Sequence, residues 1–149
     1  MNLQKLTTKA QEAVQRATEL AAARNHQHLE PVHLFAAFLE DANGVVPSIL
    51  SKLNVNPETL SALLEASYAK LPEVTGSSVS GQYIGKDAKK VFDRAHAEAD
   101  LLKDEYVASE HLLIALSESK DDVGKLLTEK GITKKSILSV LESVRGKES

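Results

Sequence analysis

Glu30-Pro31-Val32-His33-Leu34-Phe35-Ala36-Ala37-Phe38-Leu39-Glu40 and, 78 positions on, Ala108-Ser109-Glu110-His111-Leu112-Leu113-Ile114-Ala115-Leu116-Ser117-Glu118 are two versions of one segment. Extended upstream, the comparison lays residues 8–40 over 86–118 without a gap. Eight of these 33 pairs are identical: Ala10/Ala88, Arg16/Arg94, Ala17/Ala95, Ala21/Ala99, His33/His111, Leu34/Leu112, Ala37/Ala115 and Glu40/Glu118. Other core-type positions stay apolar, among them Val14/Phe92 and Leu29/Val107. After one deletion the register resumes at 77, pairing Leu50 with Leu127, Val55 with Ile132 and Leu60 with Ile137. The unit is a tandem repeat of about 75 residues, and repeats of this kind bury their apolar faces against each other. The surface where the copies meet is a natural place to bind something.

Each copy reads as four helices. Apolar residues at Ala10, Ala13, Val14, Ala17, Leu20 and Ala21 follow helical spacing and predict a helix over 8–24 capped by Thr7. Pro31 suits the first turn of the next, which is apolar nearly all round and expected to be buried. Asn43-Gly44 marks a turn. A short helix is expected over 47–53, and Asn56 caps a fourth from Pro57, with Leu60, Leu63, Leu64 and Leu71 on its apolar face. The second copy predicts helices over 86–103, 109–119, 122–130 and 134–145, with Gly131 ending the third, Thr133 capping the fourth and Val144 the last core residue. Strand signals are almost absent. The glycine- and serine-rich stretch 72–85 reads as the linker between copies, and its Val74, Val79, Tyr83 and Ile84 suggest that it lies on the protein. The small residues of each copy's first helix suggest close packing between the copies. The fold class is therefore all-α, two pseudo-twofold repeats of four helices each forming one eight-helix domain. It spans 1–145, with repeat one at 1–71, the linker at 72–85 and repeat two at 86–145; 146–149 begin a further linker.

Composition narrows the function. The chain has 149 residues, net charge −3 and no cysteine. Mixed acids and bases argue against a nucleic-acid surface, and the lack of cysteine removes disulfides and thiolate chemistry. No apolar run reaches the roughly 20 residues of a membrane span, and the N-terminus lacks the apolar stretch of a signal peptide, so a cytoplasmic protein without a membrane partner is expected. His26, His28, His33 and Glu30 resemble a metal cluster, but copy two does not repeat it, so solvated or capping histidines are the better reading. His33 and His111, repeated in the first turn of the second helix of each copy, read as structural, their rings hydrogen-bonding across the loop. Gly81-x-x-x-Gly85-Lys86-Asp87 is one residue short of a phosphate loop and has Asp87 where Ser or Thr is required. Asp104, Glu105 and Glu110 around Tyr106 fit either ordinary helix-dipole complementation or a polar rim beside an apolar groove. No set of nucleophile, base and orienting group is apparent, so the residues point to binding rather than catalysis.

The repeated segments, Glu30-Pro31-Val32-His33-Leu34 and Ser109-Glu110-His111-Leu112-Leu113-Ile114-Ala115-Leu116, resemble those of the Clp N-terminal repeat family, as does Leu6-Thr7-x-Lys9-Ala10-Gln11-Glu12-Ala13. Leu71-Pro72-Glu73-Val74-Thr75-Gly76 and the exit Val144-Arg145-Gly146 resemble its ClpB/Hsp104 branch. The resemblance covers the whole chain. It implies the non-catalytic N-terminal domain of a hexameric AAA+ disaggregase, engaging unfolded or aggregated polypeptide in an apolar groove near the junction of the two halves and passing it to the pore. It implies no cofactor in this domain, with ATP and Mg confined to ATPase modules elsewhere, and as partners the rest of the homohexamer and a DnaK-type chaperone system. Thr7, Asp104 and Glu110 match polar positions of substrate handling in the family; Tyr106, Leu101 and Leu112 are expected groove walls. The ClpC branch carries Glu before the histidine in both copies, whereas Val32 stands there in copy one, which argues against two-site phosphoarginine recognition. Docking of an adaptor protein is the alternative.

Overall fold

The computed structural model describes residues 3–74 and 83–145. After a short 3-10 turn, Leu3–Lys5, the Thr7 hydroxyl accepts the Ala10 N–H at 3.2 Å and opens α1 (Thr8–Ala23). That bond satisfies one of the donors that a helix start leaves free. β1 (His28–Leu29) leads into α2 (Pro31–Glu40), then α3 (Val45–Lys52) and α4 (Pro57–Ala69), where Asn56 caps through a 2.8 Å bond from the Glu58 N–H. Copy two follows β2 (Tyr83–Ile84) with α5 (Lys86–Leu101), α6 (Ser109–Ser117), α7 (Asp122–Glu129) and α8 (Lys134–Arg145). The positive-φ residues repeat as well. Asn25 (59°) answers to Lys103 (60°) after the first helix of each copy, and Asn54 (61°) to Gly131 (76°) after the third.

Three expectations need correction. α3 begins at Val45 rather than Pro47, because Gly44 caps it and Pro47 falls in a first turn, where its missing N–H costs nothing. In α4 the core row is Leu60, Leu64 and Tyr68, spaced i, i+4, i+8, which leaves Leu63 exposed. The small residues of the first helices serve packing within a copy: α1 lies chiefly on α2, and α5 on α6. Val79 and Gly81 of the linker and the 146–149 tail lie outside the described residues.

Between the copies, α2, α3 and α6 form the centre, flanked by reciprocal contacts of α3 with α8 and α4 with α7. Leu34 and Phe35 of α2 and Leu112, Leu113, Ile114 and Leu116 of α6 are fully buried, as is Phe92 of α5. At about 2 kcal/mol or more for each large apolar side chain, this burial is the main stabilising term. α6 is buried on all its faces, and α2 on nearly all.

The copies also exchange backbone. Leu6 pairs in parallel with Val107, and Ile84 pairs in parallel with Leu29; the 78-residue shift converts one pairing into the other. The Thr7 N–H donates to the Val107 carbonyl at 2.9 Å, and the Gly85 N–H to the Leu29 carbonyl at 2.9 Å. Each copy thus lends the strand before its first helix to the strand before the other's second helix. The two described ends of the linker lie on the protein, through the Val74 N–H to the Asn25 carbonyl and the Tyr83 N–H to the Gln27 carbonyl, although Tyr83 and Ile84 keep their side chains exposed.

The repeated residues do the same work twice. Arg16 grips Glu40 through Nε at 2.7 Å and Nη2 at 3.1 Å, and Arg94 meets Glu118 at 3.0 Å. His33 Nδ1 accepts the Glu30 N–H at 2.9 Å, and His111 Nδ1 accepts the Ala108 N–H at 2.8 Å. Both rings therefore cap a helix start, as a structural histidine should. With Nδ1 accepting, each neutral ring carries its proton on Nε2. His33 donates it to His26 Nδ1 at 2.9 Å, and His111 donates to Asp104 Oδ2 at 2.7 Å. His26 is buried rather than solvated, with the Tyr68 ring stacked on it and the Arg24 guanidinium 4.4 Å from the Tyr68 centroid.

Two predictions follow from this packing. A methyl group on Gly85 would meet the Glu30 carboxylate and lie 2.9 Å from the Leu29 carbonyl oxygen, which the parallel pairing holds in place. Gly85→Ala should cost about 1–3 kcal/mol of stability by urea unfolding. Burial, with neighbouring His26 and Arg24, holds His33 down to about 4. The unfolded chain therefore takes up its proton first, and stability should fall by up to about 3 kcal/mol as pH drops from about 6.5 to 4, with no contribution from this group above that window. Denaturation midpoints across that range should show a shallower acid slope in His33→Gln; equal slopes would contradict the assignment.

Candidate functional site

The exchange of leading strands brings the start of α1 against the start of α6. Thr7 and Glu110, 103 positions apart in sequence, line one cleft of about 660 Å³. Ala13, Ala37, Phe38, Val45, Val46 and Pro47 supply its apolar lining, from α1, the end of α2 and the start of α3; Ala108 and Ser109 close it from copy two. Lys9, Glu12, Arg16, Glu40 and Asp41 edge it. Arg16 is committed to Glu40, and the charged lining as a whole carries an acidic excess.

The related surface of copy two, between α5 and α6, is a smaller cleft of about 390 Å³ lined in part by Val91, Arg94, Ala115 and Glu118. The repeat register supplies the reason for the difference. Where Ala108 leaves space beside Thr7, copy one has Glu30, and where Thr7 stands copy two has Gly85. The Glu30 side chain fills the room that Gly85 leaves. Burial, reinforced by Asp87, raises the Glu30 carboxyl above its ordinary range.

Behind Glu110 lies an ionic cluster. Arg145, the last residue of α8, donates from Nε to Glu110 Oε2 at 2.8 Å and from Nη2 to Asp104 Oδ2 at 2.6 Å. Asp104 Oδ2 thus accepts from both Arg145 and His111. Burial pushes the Asp104 carboxyl up, but the hydrogen bonds from Arg145 and His111 outweigh it and hold Asp104 below its ordinary value. Arg145 stays firmly charged: burial opposes the charge, and the bonds to Asp104 and Glu110 outweigh it.

The six residues singled out by sequence thus separate. Thr7 and Glu110 share the cleft, and Asp104 reaches Glu110 through Arg145. Tyr106 and Leu101 stand 48% and 67% exposed on the loop and helix end that precede α6. Leu112 is 0% exposed and is a core residue, not a groove wall, because α6 presents no outer face. Two parts went unrecognised: the Phe38–Pro47 wall and Arg145. The departures from repeat symmetry at Thr7/Gly85, Glu30/Ala108 and Val32/Glu110 were visible and could have located the open side. Among the described residues no group of three or more His, Asp or Glu side chains is placed to hold a metal ion. Of the loop resembling a phosphate site, Gly81 lies outside the described residues, and the Gly85 N–H is spent on Leu29. What the cleft offers a ligand is apolar contact and carboxylate acceptors.

Comparison with known proteins gives a consistent result. The chain is 40% identical over 99% of its length to the chaperone protein ClpB of Bacillus cereus, and spans 17% of that relative. It superposes on the Hsp104 N-terminal domain of Candida albicans with a TM-score of 0.78 at 23% identity, covering 95% of this chain and 92% of that one. A ClpV N-domain in complex with a VipB peptide superposes with a TM-score of 0.79 at 16% identity, covering 95% and 87%. The profile of the Clp repeat N-terminal domain family matches residues 5–130. The chain therefore belongs to the Clp repeat N-terminal domain family, the non-catalytic N-terminal domain of ClpB-type chaperones.

Proposed function

We propose that this chain is the client-docking domain of a cytoplasmic, ATP-dependent disaggregase. It binds unfolded or aggregated polypeptide in the cleft between α1, the α2–α3 corner and the start of α6. The observation that carries this reading is the cleft itself, an open apolar trough with an acidic end, built where the two copies meet. An unfolded segment presents apolar side chains and free backbone N–H groups; the trough suits the first, and Glu110 at its end suits the second. Leu101 and Tyr106, on the same stretch of chain as Asp104, add exposed apolar side chains outside the cleft. Binding of this kind is weak and indifferent to sequence, which suits a client that must be released to the pore of a homohexamer. Six tethered copies compensate through effective concentration. ATP and Mg act in modules outside this domain, and a DnaK-type chaperone system supplies clients. That a ClpV N-domain has been captured with a VipB peptide supports a peptide-accepting role for the fold; it also keeps docking of one dedicated adaptor as the rival.

The test is a titration of the isotope-labelled chain with a reduced, carboxymethylated and permanently unfolded polypeptide. Amide shifts should gather at Thr7, Val45, Ala108 and Glu110, with Leu101 and Tyr106 following. Thr7→Ala should lose about 1 kcal/mol of stability with the cap, whereas Thr7→Ser keeps the cap and isolates the effect on binding. Saturable binding of a single folded protein, with no shifts from the unfolded one, would favour the adaptor instead.

A further inference from the structure

Arg145 does more than end α8. One guanidinium holds two carboxylates that come from different places, Asp104 in the loop after α5 and Glu110 in the first turn of α6. The Glu110 side chain is only 9% exposed. A carboxylate so buried is costly unless it is paired and hydrogen-bonded, so its placement at the end of the cleft depends on the guanidinium behind it. Comparison of the copies separates this role from a general need of the fold. Tyr68 is the counterpart of Arg145 under the 77-residue register, and His26 of Asp104 under the 78-residue one. In copy one, the same corner is filled by stacked rings, with Tyr68 on His26, His26 bonded to His33, and the Arg24 guanidinium over Tyr68 in place of an ion pair with the helix start. The fold accepts either solution. The ionic one stands in the copy whose α6 borders the larger cleft, beside Glu110, whereas the stacked-ring one stands beside Val32.

We propose that Arg145 is the positioning residue of the cleft. It sets the Glu110 carboxylate at the cleft end and, because it belongs to α8, makes occupancy of the cleft and the packing of the last turn of α8 a single event. This proposal rests on docking of polypeptide in the cleft. A backbone amide that bonds to Glu110 draws on the acceptor that the Arg145 Nε–H uses, so the two respond together.

The test uses the unfolded, carboxymethylated polypeptide as probe against the wild-type chain, Arg145→Gln, Arg145→Lys and Lys134→Gln. The last removes the other tether of α8, the 2.9 Å bond from Lys134 to Glu98, and leaves the cleft untouched. Arg145→Gln should weaken binding about tenfold, and Lys134→Gln should not. Arg145→Lys, which keeps the charge and loses the fork, should fall between wild type and Arg145→Gln. Combined with Glu110→Gln, Arg145→Gln should add little further loss. In the wild type, the Arg145 Nε–H resonance should move as the polypeptide saturates. Unchanged affinity in Arg145→Gln, or equal weakening in Lys134→Gln, overturns the proposal and leaves the docking reading standing. If Arg145→Gln does not fold, a stationary Nε–H resonance under saturation overturns it. A wild-type chain that binds no polypeptide overturns the docking reading and this proposal with it.

Discussion

The backbone bond from Thr7 to the Val107 carbonyl, and its mirror from Gly85 to the Leu29 carbonyl, is the constraint from which the rest of the structure follows. Each copy places the strand before its first helix on the other, so neither can complete its edge alone. This is the geometry of an isologous dimer, written within one chain. It buries α2 and α6 back to back and requires both to be apolar nearly all round. It also carries Thr7 from one end of the sequence to Glu110 near the other. A docking surface between the copies is a consequence of the exchange rather than an addition to it.

Symmetry sets up two related clefts, and divergence has left one larger than the other. Glu30 in copy one and Ala108 in copy two occupy the same place, at the start of the second helix, and the difference of one side chain decides whether the space beside it is filled. The same divergence appears behind the helix. The histidine that caps α2 leans on His26 and Tyr68, while the one that caps α6 leans on Asp104 and Arg145. Identical caps with unlike backing suggest how duplicated folds acquire function: the repeated residues hold the helices, and the unrepeated ones define the site. The exposed pairs Arg16–Glu40 and Arg94–Glu118 belong to the first class, and solvent screening leaves each a small contribution.

Much of this was legible in the sequence because it rests on local chemistry. Thr7, Asn56 and Thr133 announce helix starts through their own side chains, and the 3.6-residue spacing of apolar residues locates the buried faces. The Clp resemblance named Thr7 and Glu110, which share the cleft. What escaped was non-local. Leu63 and Leu112 satisfy the same hydrophobic criterion, yet one is exposed and the other fully buried, because burial depends on which helix lies opposite. Arg145 entered only through the exit Val144-Arg145-Gly146; the approach of α8 to the start of α6 makes it a clamp. His26 looked solvated at a helix end until Tyr68, 42 residues on, covered it. The alanines of α1 were legible as contact residues but not as to their partner, since close packing within a copy and between copies asks for the same small side chains.

The central claim is that the two copies are held by one reciprocal exchange, and hydrogen exchange at the four bonded amides tests it most directly. If the exchange is a single cooperative unit, the Thr7, Val107, Tyr83 and Gly85 amides, bonded to the Val107, Lys5, Gln27 and Leu29 carbonyls, should exchange only through global unfolding, with one common free energy equal to that from chemical denaturation. Fast exchange at Thr7 and Val107 while Tyr83 and Gly85 remain protected would show that the α1–α6 junction opens on its own, and the account of a jointly built cleft would fail.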